Sequence, residues 1–282
     1  METGQLTIQK SNNRLSQNNI KELSIQISLS GLSFCILNRT SNTIELLQHQ
    51  DFNKKLTPFD VLERLKKQLE HNSDFNYAFK SVLIIYQNEL STLVPKALFN
   101  EDNCADYLKF NAKILKTDFI SHEVIAVNDS VNVYVPLVNI NNYIFEKFGA
   151  FEYKHSSTLL IDTLLQKATQ EGASYYINVC QNHFEIIVVE NGKLLLYNTF
   201  EYKTKEDFIY FVLFTVEQLK SDPETLQLYF SGQITEDSEL YTIAYTYIRH
   251  IQFIDPKHTF KFAAQSKPNH NYNHFIILNS FS

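Results

Sequence analysis

Two stretches of this chain open in the same way, 147 residues apart: Thr57-Pro58-Phe59-Asp60 and Thr204-Lys205-Glu206-Asp207. A threonine followed three residues later by an acid, ahead of an apolar run, marks a helix start: the hydroxyl takes a free backbone amide and the carboxylate reaches back to another. Pro58 suits the first helical position, where no amide hydrogen is needed. Carrying the offset forward puts Leu62, Leu65 and Leu69 onto Ile209, Val212 and Val216, so the apolar faces of the two helices coincide. Each helix is preceded by three runs of strand type and followed by one. In the first series Ile25, Ile27 and Leu29 alternate with Gln26 and Ser28; strands follow at 34–37 and 44–47, and 82–86 comes after the helix. In the second series the strands are 176–180, 184–189 and 194–197, with Asn191-Gly192 as a hairpin turn, and 226–230 after the helix. A capping pattern alone is weak evidence. The same pattern at the same place in two strand-strand-strand-helix-strand series predicts a duplicated α/β unit with mixed sheets.

The expected division is 1–152 for the first copy, with 1–22 as a loose lead-in, and 153–282 for the second. Between the copies the pattern predicts strands at 124–127 and 131–135 and helices at 139–148 and 157–168. A helix at 237–248 and strands near 260–263 and 275–278 close the chain. Only six glycines occur, and no two lie close enough for either glycine-rich phosphate loop. With 25 Lys and Arg against 31 Asp and Glu and no basic cluster, nucleic acid is not an expected partner. No apolar run approaches the roughly 20 residues of a membrane span. Cys35, Cys104 and Cys180 are odd in number, far apart and flanked by apolar residues; they read as reduced, buried thiols of a cytoplasmic protein.

Three segments carry a resemblance: Val94-Pro95-Lys96-Ala97-Leu98-Phe99, Tyr107-Leu108-Lys109-Phe110 and Asn132-Val133-Tyr134-Val135-Pro136. Together with the doubled strand-helix series, they resemble an uncharacterised family of Bacteroidetes proteins with a divergent actin-like fold, from about residue 20 onward. The resemblance implies two tandem ribonuclease-H-like domains in an actin-like ATPase arrangement, facing each other across a cleft, and brings no assigned activity. Working members of that superfamily carry a D-x-G signature where the first strand of each domain turns into the second. Placed on that motif, Ser28 stands for the first acid and Ser30 for its glycine, while Asn178 and Cys180 stand for the second pair. The adenosine-side glycine motif is reduced to Ser231-Gly232-Gln233. No Asp or Glu lies between Leu23 and Arg39 or between Gly172 and Phe184.

The cleft positions Ser28, Ser30, Asn178 and Gly232 are therefore degenerate, with no cofactor and no metal expected. The reading is of a non-catalytic interaction or scaffold protein; the alternative is a cleft that binds nucleotide or a small ligand without efficient hydrolysis. His270 and His274, with His258 upstream, fall in a loop pattern that reads as a solvated turn rather than a zinc site. His183 at a hairpin tip and His155 ahead of a helix are expected at the surface. The helix from Thr204 has apolar residues all round, so its outer side needs cover, from the other domain or from a protein partner or second copy. Tyr210 and Phe214 are the interface candidates.

Overall fold

The computed structural model describes residues 20–110, 112–167 and 172–281. Two principal sheets share one plan. In the first, β1 (Lys21–Ile27), β2 (Gly31–Asn38) and β3 (Thr43–Asp51) form an antiparallel meander; α1 (Pro58–His71) crosses over and β4 (Ser81–Tyr86) returns parallel to β1. A smaller antiparallel sheet follows, from β5 (Ser91–Pro95), β6 (Ser121–Ile125) and β7 (Ser130–Tyr134), with the short helix α2 (Cys104–Lys109) packed on it. Next come α3 (Val138–Phe148), β8 (Glu152–His155) beside β4, and α4 (Ser156–Lys167). The second principal sheet repeats the plan with β9 (Ala173–Val179), β10 (His183–Glu190), β11 (Lys193–Glu201), α5 (Lys205–Gln218) and β12 (Gln227–Gly232). Then α6 (Glu239–Tyr247) leads to β13 (His250–Phe253), which extends that sheet, and β14 (Lys261–Phe262) adds to the edge of the first sheet. The last helix is α7 (Phe275–Asn279).

The repeat goes deeper than element order. In the first sheet β2 slips register against β3 between Ile36 and Leu37; in the second, β10 slips against β11 between Val188 and Val189, the equivalent step. A bulge tightens the local twist and is positioned by the surrounding fold, so its recurrence ties the two sheets to one template. Both helix caps form: Thr57 Oγ accepts from the Asp60 amide, and Thr204 Oγ from the Asp207 amide. They differ in one respect. Asp207 completes the reciprocal box by accepting from the Thr204 amide, whereas the Asp60 carboxylate accepts from the Thr57 hydroxyl. The Asn191-Gly192 turn has both residues at positive φ, 51° and 74°, as a tight hairpin between twisted strands requires.

Val61, Leu65 and Leu69 of α1 and Ile140 and Ile144 of α3 cover one face of the first sheet; Phe208, Val212 and Val216 of α5 cover one face of the second. The opposite faces look toward each other across α4 and α7, which supply Leu160, Ile161, Phe275, Ile276 and Ile277 to a shared core. The strand expected at 275–278 is thus a helix. Lodged between the two sheets, the segment satisfies its backbone internally as a helix, and Phe275, Ile276, Ile277, Leu278 and Asn279 are all buried. The lead-in expected over 1–22 falls, up to residue 19, outside the described residues; Lys21 already begins β1.

Candidate functional site

A cleft of about 320 Å³ opens where the two principal sheets end, walled on one side by α7. Ser28, Ser30, Asn178 and Gly232 all line it, so residues 204 positions apart in sequence meet in one place. Their side chains, however, are largely committed to the fold.

Ser28 closes its own turn: its amide donates to Gly31 O at 3.0 Å, and its hydroxyl donates to the same oxygen at 3.1 Å and accepts from the Ser30 amide at 3.2 Å. Cys180 makes the matching turn in the second sheet, its amide donating to His183 O at 2.9 Å. That match corrects the expected correspondence. Across β1 and β2 Gln26 pairs with Ser33, and across β9 and β10 Asn178 pairs with Glu185. The counterpart of Asn178 is therefore Gln26, and that of Ser28 is Cys180. The helix caps are 147 residues apart but the first strands are 152 apart, because the connections between elements differ in length.

Asn178 is held from two sides. Its Nδ2 donates to Glu185 Oε2 at 2.8 Å, and its Oδ1 accepts from Ser231 Oγ at 3.2 Å. Glu185, only 2% exposed, also accepts from the Tyr197 hydroxyl at 3.0 Å. Burial pushes the Glu185 carboxyl up from its ordinary range, while the bonds from Asn178 and Tyr197 pull it back. The acid-free stretch of the sequence ends at Phe184, one residue short of Glu185, and only the strand register sets that acid beside Asn178. Gly232 is needed for close approach. Its φ is +83°, and a Cβ there would lie 2.2 Å from Val179 O.

The actin-like plan implies a magnesium nucleotide, and these donors do not fit one. Among the described residues the carboxylate that lines the cleft is Asp51, which accepts from His49 Nε2 and from Gln233 Nε2, both at 2.9 Å; Glu185 is spent behind Asn178, and Glu89 beside the cleft is paired with Lys55. Among the described residues no three His, Cys, Asp or Glu side chains gather as metal ligands.

One histidine expected at the surface is buried, and two more are half-buried in the cleft wall. His155 is fully buried: Nε2 donates to Asn88 O at 3.1 Å and Nδ1 accepts from Ser157 Oγ at 2.7 Å. Burial lowers it to about 4. His183 and His274 line the cleft, and burial lowers each of them to about 4 as well. His183, beside a polar turn, looks solvated until the opposite wall of the cleft is known, and His155 until the contacts of its ring with Asn88, Ser157 and Tyr134 are. Cys35 and Cys180 are buried free thiols, but Cys104 is half-buried. The outer side of α5 is left uncovered: Tyr210 is 61% and Phe214 43% exposed, their rings stacked at 6.2 Å.

The family described as "Protein of unknown function (DUF3822)" matches residues 10–251. The chain belongs to that family. A Bacteroides thetaiotaomicron protein with an actin-like ATPase fold and unknown function superposes with a TM-score of 0.72 at 22% identity, over 86% of this chain and 93% of that one. The type IV pilus biogenesis complex PilM–PilN contains a chain that superposes at 0.59 and 9% identity, over 92% and 96%. No curated protein matches significantly. The DUF3822 chain thus has the actin-like ATPase fold, with mixed α/β sheets as expected. Among the described residues no helix is long and apolar enough to cross a membrane.

Proposed function

We propose that this chain is a degenerate actin-like protein of the cytoplasm that hydrolyses no nucleotide and works as an interaction or scaffold protein. The observation that carries the reading is the exposed aromatic pair on α5. Tyr210 and Phe214 face outward while Phe208, Val212 and Val216 fill the core beneath them. Exposed aromatic residues are where interfaces concentrate their energy. A neighbour in fold, PilM, is solved in complex with PilN, which supports partner binding only at the level of the architecture. Phe214→Asp is expected to leave stability within about 0.5 kcal/mol of the parent, as exposed substitutions do, and to abolish self-association in light scattering or the recovery of a specific partner. A monomer that recovers no partner before the substitution contradicts the reading.

A second reading, a small polar ligand held in the cleft, is favoured by one observation: Gln181 Oε1 lines the cleft, buried and without a hydrogen-bond partner. Both readings give the same outcome with ATP. Turnover with magnesium is expected to stay at background. Asn178→Ala is expected to cost about 1–3 kcal/mol of stability, since it strips a donor from the buried Glu185. ATP hydrolysis that disappears in Asn178→Ala would overturn both.

A further inference from the structure

On the wall of the cleft formed by the first sheet, three side chains make a hydrogen-bonded chain. Antiparallel pairing sets Ser33 directly across from His49, and Asp51, two residues on, shares the His49 face of β3. Ser33 Oγ lies 2.8 Å from His49 Nδ1, and His49 Nε2 lies 2.9 Å from Asp51 Oδ1. An ionised carboxylate only accepts, so Nε2 carries the ring hydrogen and Nδ1 offers its lone pair to the Ser33 hydroxyl. Gln233, reaching over from the second domain, donates to Asp51 Oδ1 at 2.9 Å and steadies the carboxylate; its Nε2 also lies 3.1 Å from His49 Nε2. All four residues line the cleft, and Ser33 is buried.

We propose that Ser33, His49 and Asp51 form a nucleophile–base–orienter set that cleaves small carboxylic esters in this cleft. A hydroxyl within hydrogen-bond reach of a base, itself oriented by an acid, is the arrangement that activates a serine, whichever fold carries it. The ring is turned relative to the familiar order, with Nδ1 rather than Nε2 facing the nucleophile. Gln26 stands opposite Ser33 on β1 and gives one of its two Nε2 hydrogens to Gln87 Oε1, leaving the other for an oxyanion. Phe275, Ile276 and Ile277 line the cleft, and its volume of about 320 Å³ suits a short acyl group. In the first step the Ser33 oxygen bonds to the acyl carbon, its proton passes to His49 Nδ1, and the ester C–O bond breaks as the alcohol leaves with that proton. Water then attacks the acyl-serine by the reverse route, releasing the acid. The balance is ester and water to acid and alcohol. The proposal goes beyond the reading above, and it departs from the non-enzymatic expectation because acyl transfer needs neither nucleotide nor the missing phosphate-turn acids.

The test uses the full chain with p-nitrophenyl butyrate and a fluorophosphonate probe. A single probe adduct mapped by mass spectrometry to Ser33 is expected. Hydrolysis is expected to fall about 100-fold or more in Ser33→Ala and in His49→Ala. Asp51→Asn, at a half-exposed site that tolerates exchange, should lower the rate while keeping the melting temperature, because it releases the ring tautomer. Phe214→Asp should leave the rate unchanged, which separates this proposal from the surface reading. An unlabelled Ser33 in folded protein overturns it, as does an Asp51→Asn variant with the parent rate.

Discussion

Gly232→Ala is expected to cost about 3 kcal/mol or more. The new methyl would sit 2.2 Å from Val179 O and 2.9 Å from Val179 N, both backbone atoms that cannot swing aside, in a residue whose φ of +83° already disfavours a side chain. The left-handed conformation alone accounts for about 1–2 kcal/mol, and forcing apart packed atoms adds about 1–3. The clash falls where β12 lies against β9 and where the Gln233 amide donates to Val179 O at 2.7 Å, so relief requires parting two central strands. Gly192→Ala makes the control. Its φ is +74° but nothing lies within 4 Å of the added methyl, so only the conformational cost, about 1 kcal/mol, is expected. Urea midpoints of the two variants check the difference; equal losses would show that the close approach at Gly232 is not what the glycine serves.

The second large effect is with pH. His155 is neutral in the folded chain down to about 4, whereas the unfolded chain takes up a proton near 6.5. Between those values the unfolded state binds more protons, so stability is present in full above 6.5 and is lost as the pH falls toward 4. At 1.36 kcal/mol for each pH unit, this one ring contributes a loss of about 3 kcal/mol. His183 and His274, lowered in the same way, act in the same direction. Glu123, which accepts from the His155 amide at 2.7 Å, opposes them: burial pushes it up to about 7, so it weakens the fold as pH rises through the window from 4.5 to 7. Glu123→Gln removes that opposition and is expected to steepen the fall of the urea midpoint between pH 6.5 and 4. The His155 ring resonances are expected to stay unshifted down to pH 5; a titration near 6.5 would contradict the buried neutral ring.

The parts of the fold legible in the sequence were those governed by local chemistry. Thr57 and Thr204 announced helices because a cap is a contact within four residues, and Asn191-Gly192 announced a hairpin because the turn itself demands positive φ. What failed needed contacts far apart in the chain. The segment at 275–278 is apolar in a way that fits a buried strand or a buried helix equally, and only its lodging between two sheets decides. Ser28 and Asn178 both line the cleft, yet they are not counterparts: matching them on the D-x-G motif implies an offset of 150, whereas the strand register sets it at 152 and pairs Asn178 with Gln26. Ser33, His49 and Asp51 had no sequence signal at all: their meeting depends on the register slip at Ile36 and Leu37, and a bulge leaves no mark in the alternation of apolar residues.

The strand β14 has a mechanical meaning. The chain leaves the second sheet at Phe253, enters the first at Lys261, and has only residues 254–260 between them. Fully stretched, such a connector reaches roughly 25 Å. Because β14 is bonded to β3, the same strand that carries His49 and Asp51, any gaping of the two halves pulls directly on that strand. The β14 strand is a stay between the two halves: parting them widely requires peeling it from β3 as well as opening the core shared by α4 and α7.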